Sequence, residues 1–238
     1  MKELEDYERF PTLLRNFQTE FIGFLVVRFR IYKPFIHYLR SRNLPRQPMT
    51  DLCSGSGEPA RYIFRKCKCF RNLILTDKFP NRIVTRDTRI FYDPKPADVL
   101  QMEFEPNTCY TMFNSFHHFN EKEKLAIISK MREAGAHGYF VEILEPRITV
   151  LFKILMATTL GNLLLTPLIR PFSFKRLFFT YIIPVNLLTI SYDGIVSVFK
   201  SYTVKQYQRL FKYHSDVIKV FKVKAKLSSL VIIKIHSK

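Results

Sequence analysis

The stretch Thr50-Asp51-Leu52-Cys53-Ser54-Gly55-Ser56-Gly57-Glu58-Pro59-Ala60 decides the reading of this chain. An apolar run, Pro48–Cys53, ends in a loop that holds two of only 7 glycines in 238 residues. Glycines remove side chains where backbone must approach a ligand closely. A helix beginning at Ala60 offers free backbone N–H groups at its start. Pro59 suits a first helical turn, where its missing N–H costs nothing. The next apolar run, Asn72–Thr76, is followed at once by Asp77, 20 residues after Gly57. An acid at that place can accept hydrogen bonds from both hydroxyls of a ribose.

Outward from this unit, strands and helices alternate. Val99–Phe104 is weakly strand-like, Cys109–Ser115 is a strand, Glu121–Ala134 a helix with a polar face, and Gly138–Leu144 another strand. This alternation predicts a parallel sheet in an α/β fold. Upstream, apolar residues recur at helical spacing over 12–33, from Leu13 to Leu25. A short helix over Phe35–Arg42 follows, ending before an Asn43–Leu44–Pro45 turn. Downstream, Thr203–Tyr213 reads as an amphipathic helix. Val217–Lys226 and Leu230–His236 read as two strands joined at Ser228–Ser229. The division is a helical cap over 1–47 and one α/β domain over 48–238, interrupted by an apolar insertion over 148–190.

In Asp51–Pro59 and Asp77 the chain resembles the class I S-adenosyl-L-methionine-dependent methyltransferases. Their first motif is an acid with glycines at the second, fourth and sixth positions after it. Asp51, Gly55 and Gly57 match the acid and the last two glycines, and Cys53 replaces the first. The resemblance implies a Rossmann-like, seven-stranded mixed sheet of order 3-2-1-4-5-7-6. It implies S-adenosyl-L-methionine as cofactor, Asp77 on the ribose, Asp98 (or Glu103) near the adenine, and a site extended by Asn114 after the fourth strand. It covers Pro48–Leu144 and the closing strand pair. Gly55–Ala60 also satisfies the dinucleotide pattern G-x-G-x-x-G/A, so an NAD(P)-dependent oxidoreductase is the competing enzyme. Asp51, placed to hold the donor's ammonium group, and the C-terminal strand pair favour the methyl donor.

His117 and His118 follow the fourth strand, where ligands bind in open α/β sheets. Either is a candidate base on an acceptor hydroxyl or amine; the alternative is that Phe116 and Phe119 pack inward while the histidines cap the loop. Asn114-Ser115-Phe116-His117 lacks the prolines of the Asn/Asp-Pro-Pro-aromatic motif, which argues against planar amide or adenine acceptors. Glu142 and Glu145 end the fifth strand and are expected in solvent or on the substrate side. Cys53 reads as a small residue of the turn, not a nucleophile. Cys67-Lys68-Cys69 is too tight for a zinc knuckle; neither a metal site nor a disulfide framework is expected.

The formal net charge is +18, of which +12 falls from Ile148 onward: 14 Lys and Arg against Asp193 and Asp216. A basic C-terminal third suggests an anionic partner, such as membrane or nucleic acid, or else a solubilising surface. No RNA or DNA module accompanies it. Ile148–Ile169 is nearly all apolar, and Leu177–Ile190 is a second apolar run, shorter than a membrane span. Lys153 and Pro167 interrupt the first; Arg147, Arg170, Lys175 and Arg176 flank the runs. That pattern fits helices lying in a membrane interface, or a lid over an apolar pocket; a two-span hairpin is a third reading. The acidic start, MKELEDYERF, has no apolar core of a secretory signal. The expectation is a cytoplasmic protein, peripheral at an anionic membrane, that methylates a small, lipophilic acceptor. A non-enzymatic membrane or nucleic-acid binder on the same fold is the rival.

Overall fold

The computed structural model describes residues 1–42, 46–81, 85–224 and 229–236. Seven strands form one sheet: β1 (Gln47–Leu52), β2 (Phe70–Leu75), β3 (Ile90–Tyr92), β4 (Cys109–Phe113), β5 (His137–Glu142), β6 (Ile218–Lys224) and β7 (Ser229–Ile235). Their order is β3-β2-β1-β4-β5-β7-β6, as the resemblance implies. The first five are parallel, and β7 runs antiparallel between β5 and β6.

Period-two alternation assigns each strand's side chains to two cores. On one face Met49, Leu73, Leu75, Phe113, Tyr139, Val141 and Ile232 meet α1 (Thr12–Arg28), α2 (Lys33–Arg40) and α3 (Ala60–Cys67). On the other, Leu52, Met112, Phe140, Val231 and Ile233 meet α4 (Glu121–Glu133) and a later helix carrying Tyr207. Asn120 starts α4 with a capping box: its side chain accepts from the Glu123 N–H at 3.0 Å, and Glu123 accepts from the Asn120 N–H at 2.7 Å. Lys219, Lys222 and Lys224 of this edge strand are exposed, and their charge discourages pairing with other chains.

Several expectations are corrected. Val99–Phe104 is no strand: Asp98 accepts from the Leu100 N–H at 3.0 Å and turns the chain there. The edge strand is Ile90–Tyr92, three residues too few for a visible periodicity. The first helix stops at Arg28, because Arg30 takes a left-handed φ of 52°. Cys67 and Cys69 are joined by a disulfide, where none was expected; left-handed Lys68 turns the chain back and brings their Cα atoms to 5.2 Å. The Asn43–Leu44–Pro45 turn and Ser228 lie outside the described residues.

The insertion is α5 (Ile148–Met156), a π turn over Ala157–Gly161, α6 (Asn162–Leu165), α7 (Phe174–Tyr181) and α8 (Val185–Lys200). The second apolar run does not end at Ile190; α8 continues ten residues further, because Val196 and Val198 keep an apolar side buried. Ile148–Leu168 is one continuous helix, long and apolar enough to cross a membrane, with a mean hydropathy of 1.8 in its most apolar window. α7 and α8 meet at 77°. The inner side of the insertion is fastened to the cap: Ile169 and Ile190 pack on Phe21, and the buried Arg176 guanidinium donates to Glu20 and to the Ile169 and Pro171 carbonyls. α9 (Val204–Leu210), the helix that carries Tyr207, then leads into β6.

Gly138 lies opposite Tyr110 in the β4–β5 pair, and a Cβ built on it would stand 1.9 Å from the Tyr110 carbonyl oxygen. Gly138→Ala should therefore lower unfolding stability by about 1–3 kcal/mol or more, since backbone must yield. Urea unfolding of the two proteins measures it; an unchanged midpoint would show that the strands separate freely.

Candidate functional site

The carboxyl ends of β1, β2 and β4 open into a cavity of about 740 Å³, roofed by the N-terminal segment and the end of α8. Of the residues expected there, Cys53, Gly55, Asp77, Asp98, Asn114, His117 and His118 line the wall. Asp51 and Gly57 do not; they lie behind it.

Asp51 is buried at the end of β1. Its Oδ1 accepts from the Thr111 hydroxyl at 2.7 Å, and its Oδ2 lies 2.8 Å from the Ser54 hydroxyl. Burial pushes its carboxyl up to about 7, against those two hydrogen bonds. Both oxygens are thus engaged in holding the loop. The loop itself is left-handed at Cys53 (φ 55°), Gly55 (φ 51°) and Gly57 (φ 79°). Cys53 therefore adopts the conformation of the glycine it replaces. Burial, with Asp77 and Asp51 nearby, pushes its thiol well up and keeps it protonated, so it is no nucleophile.

Asp77 closes the loop from β2. Its Oδ2 accepts from the Gly55 N–H at 2.7 Å and its Oδ1 from the Phe79 N–H at 2.8 Å. Burial raises its carboxyl, although both N–H groups and Arg15 favour the charge. From β3, the Tyr92 hydroxyl donates to the Gly55 carbonyl at 3.0 Å. Asp98 stands further along, 3.0 Å from Lys78. Burial alone would raise Asp98, but Lys78 and the Leu100 N–H hold it below its ordinary value. Asn114, left-handed at φ 52°, directs its side chain into the cavity; its Oδ1 is buried without a hydrogen-bond partner among the described residues.

The histidines occupy the far end, on a 3₁₀ turn over Phe116–His118. Phe116 does pack inward, yet His117 is also buried. Its Nδ1 lies 2.7 Å from Glu142 Oε2, while Glu142 Oε1 accepts from the Phe116 N–H at 2.7 Å. Glu142 is thus a fully buried support for His117 and not a solvated carboxylate. Glu145 is also buried and pairs with Lys222 at 2.6 Å, outside the cavity. His118 Nδ1 lies 2.8 Å from Asp6 Oδ1. Burial would lower His118, but Glu3, Asp6 and Glu5 overcome it and push the imidazole up to about 10.

Sequence reasoning missed the acidic start of the chain. Glu3 is buried beside both imidazoles, its Oε2 accepts from the Ser197 hydroxyl at 2.9 Å, and Lys200 lies 3.1 Å from its Oε1. The segment is tied down at two points. Asp193 on α8 accepts from the Leu4 and Glu5 N–H groups, and the Arg15 guanidinium on α1 donates to the Glu5 and Tyr7 carbonyls. Nothing in the local pattern of MKELED marks it, since its partners lie on α8 and after β4.

No family model matches the chain, and no curated protein does. Among solved structures it is similar to the plantazolicin methyltransferase BpumL in complex with SAH, with 13% identity over 95% of this chain and 88% of that one and a TM-score of 0.55. The same enzyme with a monoazolic desmethylPZN analog and SAH gives 12% identity over the same shares and a TM-score of 0.54. The pyocyanin biosynthetic protein PhzM gives 14% identity, 85% and 54% coverage and a TM-score of 0.49; the chain spans about half of its length. At these identities the likeness is one of fold. The chain has the class I S-adenosylmethionine-dependent methyltransferase fold.

Thr111→Val keeps the shape of β4 and removes one of the two hydroxyls on Asp51. The stranded carboxylate oxygen should cost about 1–3 kcal/mol of stability. Urea unfolding checks this, and no loss would mean that water replaces the hydroxyl.

Proposed function

We propose that this chain transfers a methyl group from S-adenosylmethionine to a small, lipophilic acceptor. The observation that carries the reading is that one cavity runs from the glycine loop and Asp77 at one end to the paired histidines at the other. The residues fit the cofactor. Asp77 faces the ribose hydroxyls with a carboxylate already oriented by two backbone N–H groups. Asp98 stands at the adenine end. Asn114 Oδ1 is a buried acceptor with no partner among the described residues, which suits the donor's ammonium group. Asp51 and Gly57 act from behind, by holding the loop, and Cys53 supplies part of the wall. The cofactor supplies an electrophilic methyl group; the chain's own residues position the acceptor, and His117 and His118 stand where it enters. BpumL, of the same fold, was solved with SAH. Antiparallel β7 fits this reading better than the nicotinamide one.

Asp77→Ala should weaken S-adenosylhomocysteine binding by roughly 1–3 kcal/mol, through lost ribose hydrogen bonds and a loosened Gly55. Isothermal calorimetry measures it. Wild-type protein that ignores S-adenosylhomocysteine but binds a nicotinamide dinucleotide would replace this reading by the oxidoreductase one.

The apolar insertion places the enzyme at an anionic membrane surface in this proposal. Its outward face carries Phe152, Leu164, Phe174, Ile182 and Leu188, all exposed by 64% or more, with exposed Arg147, Arg170 and Lys175 around them. No residue of 148–190 lines the cavity, which speaks against the lid. Basic residues near anionic lipid contribute about 1 kcal/mol each before salt screening. Co-sedimentation with anionic vesicles should exceed that with neutral ones and fall at high salt. Replacing Phe152, Leu164 and Phe174 together by Ser should reduce it at least about tenfold, given roughly 1.5–3 kcal/mol per buried large apolar side chain. Protein that stays in the supernatant with every vesicle would remove the membrane from the proposal.

A further inference from the structure

We propose that Glu3, His117 and His118 form a binding site for one divalent transition-metal ion at the acceptor end of the cavity. The two imidazoles lie side by side, with ring centroids 4.6 Å apart. Each has its Nδ1 on a carboxylate, His117 on Glu142 at 2.7 Å and His118 on Asp6 at 2.8 Å. Metal-binding histidines carry this same support: a carboxylate on one ring nitrogen fixes the tautomer and directs the other at the ion. Both Nε2 atoms turn toward Glu3, His117 at 3.9 Å from Oε1 and His118 at 3.5 Å from Oε2.

These separations are long for a hydrogen bond and short for strangers. Two ligands about 2.1 Å from one ion, at a tetrahedral angle, stand about 3.4 Å apart. The three ligand atoms already lie within 4.8 Å of one another, so small side-chain rotations complete the set. His117 Nε2 is buried with no hydrogen-bond partner among the described residues, and Glu3 Oε1 has only the Lys200 ammonium, 3.1 Å away. Lys200 and Ser197 also face Glu3, but a carboxylate offers about four lone-pair directions, which leaves room for an ion. Four carboxylates, Glu3, Glu5, Asp6 and Glu142, surround the imidazoles, with Lys200 against Glu3 and Asp6.

Glu3 is held for this task and does not hang from a loose end. The N–H groups of the two residues after it are fixed on Asp193, and Arg15 binds the carbonyls beyond. Two histidines and one carboxylate are the protein ligands of catalytic zinc and of iron(II) sites that keep a coordination position open. Here His117 and His118 line the cavity, so an ion held by them would be within reach of an acceptor bound in it. Binding at His118 displaces the Nε2 proton to solvent. On the methyl-transfer reading, an acceptor hydroxyl bound to the ion would lose its proton to solvent, since the ion as a Lewis acid lowers its pKa; its oxygen would then take the methyl group as the S–CH3 bond breaks and S-adenosylhomocysteine leaves.

The test uses the full chain, stripped with a chelator and titrated with Zn2+ by calorimetry and with Co2+ by visible absorption. One equivalent should bind, with the ligand-field bands of a nitrogen- and oxygen-ligated Co2+. Glu142→Gln should keep that stoichiometry and weaken affinity ten- to a hundredfold, as lost carboxylate support does. Glu3→Gln and His118→Ala should each weaken it further. Where a variant fails to fold, Co2+-induced paramagnetic shifts of the His117 and His118 ring protons in the wild-type chain decide instead. Metal far below one equivalent, or Co2+ that leaves these two rings unshifted, would overturn the site. S-adenosylhomocysteine calorimetry on the same samples separates the two ideas. Cofactor binding without metal binding removes only the ion, whereas metal without cofactor binding removes the methyltransferase reading and keeps the ion.

Discussion

A buried carboxylate at the end of the central strand governs this structure. Asp51 cannot keep its oxygens out of water without donors, and the two it finds come from different places. Thr111 belongs to β4, and Ser54 opens the glycine loop. Its backbone carbonyl adds a third tie, accepting from the Thr76 N–H and hydroxyl at the end of β2, each at 2.9 Å. One residue thereby gathers the carboxyl ends of β1, β2 and β4. The loop that leaves β1 has little choice but to turn back over them, left-handed at Cys53, Gly55 and Gly57. Asp77 then completes the turn by accepting from the Gly55 N–H. The cavity is the space this loop arches over.

The far side of the cavity obeys a different constraint. His117 and His118 sit on a short turn and are buried or nearly so, which is costly for imidazoles without partners. Carboxylates meet the need from two distant parts of the chain: Glu142 from β5, and Glu3, Glu5 and Asp6 from the first residues. Burial would raise both neighbours, yet His118 and Lys200 hold Asp6 down to about 2, while Glu5, where burial wins over His118, is raised to about 8. Lys200, at the end of the insertion, joins this cluster. The cap, the sheet and the insertion therefore meet at one electrostatic knot, and the histidine end of the cavity depends on all three.

The insertion solves two packing problems at once. Its inner side is polar where it must be specific, with Arg176 on Glu20 and Asp193 on the N-terminal backbone, and apolar where Ile169 and Ile190 meet Phe21. Gly194 lets α8 approach α5 closely, since a Cβ there would stand 2.7 Å from an Ile154 methyl carbon. Its outer side keeps large apolar residues exposed, Phe152, Leu164, Phe174, Ile182 and Leu188 among them.

Much of the fold was legible because it rests on local rules. Short apolar runs alternating with helices marked β1, β2, β4 and β5, apolar–polar alternation marked β6 and β7, and the spacing from Asp51 through Gly55 and Gly57 to Asp77 marked the loop, since close backbone approach needs glycine whatever the rest of the chain does. Edge strand β3 escaped because three residues hold no period, and Val99–Phe104 was taken for it because a buried loop residue such as Val99 is as apolar as a strand residue. The site was legible where neighbours in sequence make it: His117 and His118 after β4, Asp77 after β2. It was not legible where it depends on distance. That Glu142 supports His117, that Asp51 faces hydroxyls behind the loop, and that Glu3 reaches the histidines from 114 residues away are decided only when the chain is packed. Strand and turn propensities act over a few residues; the donors that a buried charge recruits come from wherever the fold delivers them.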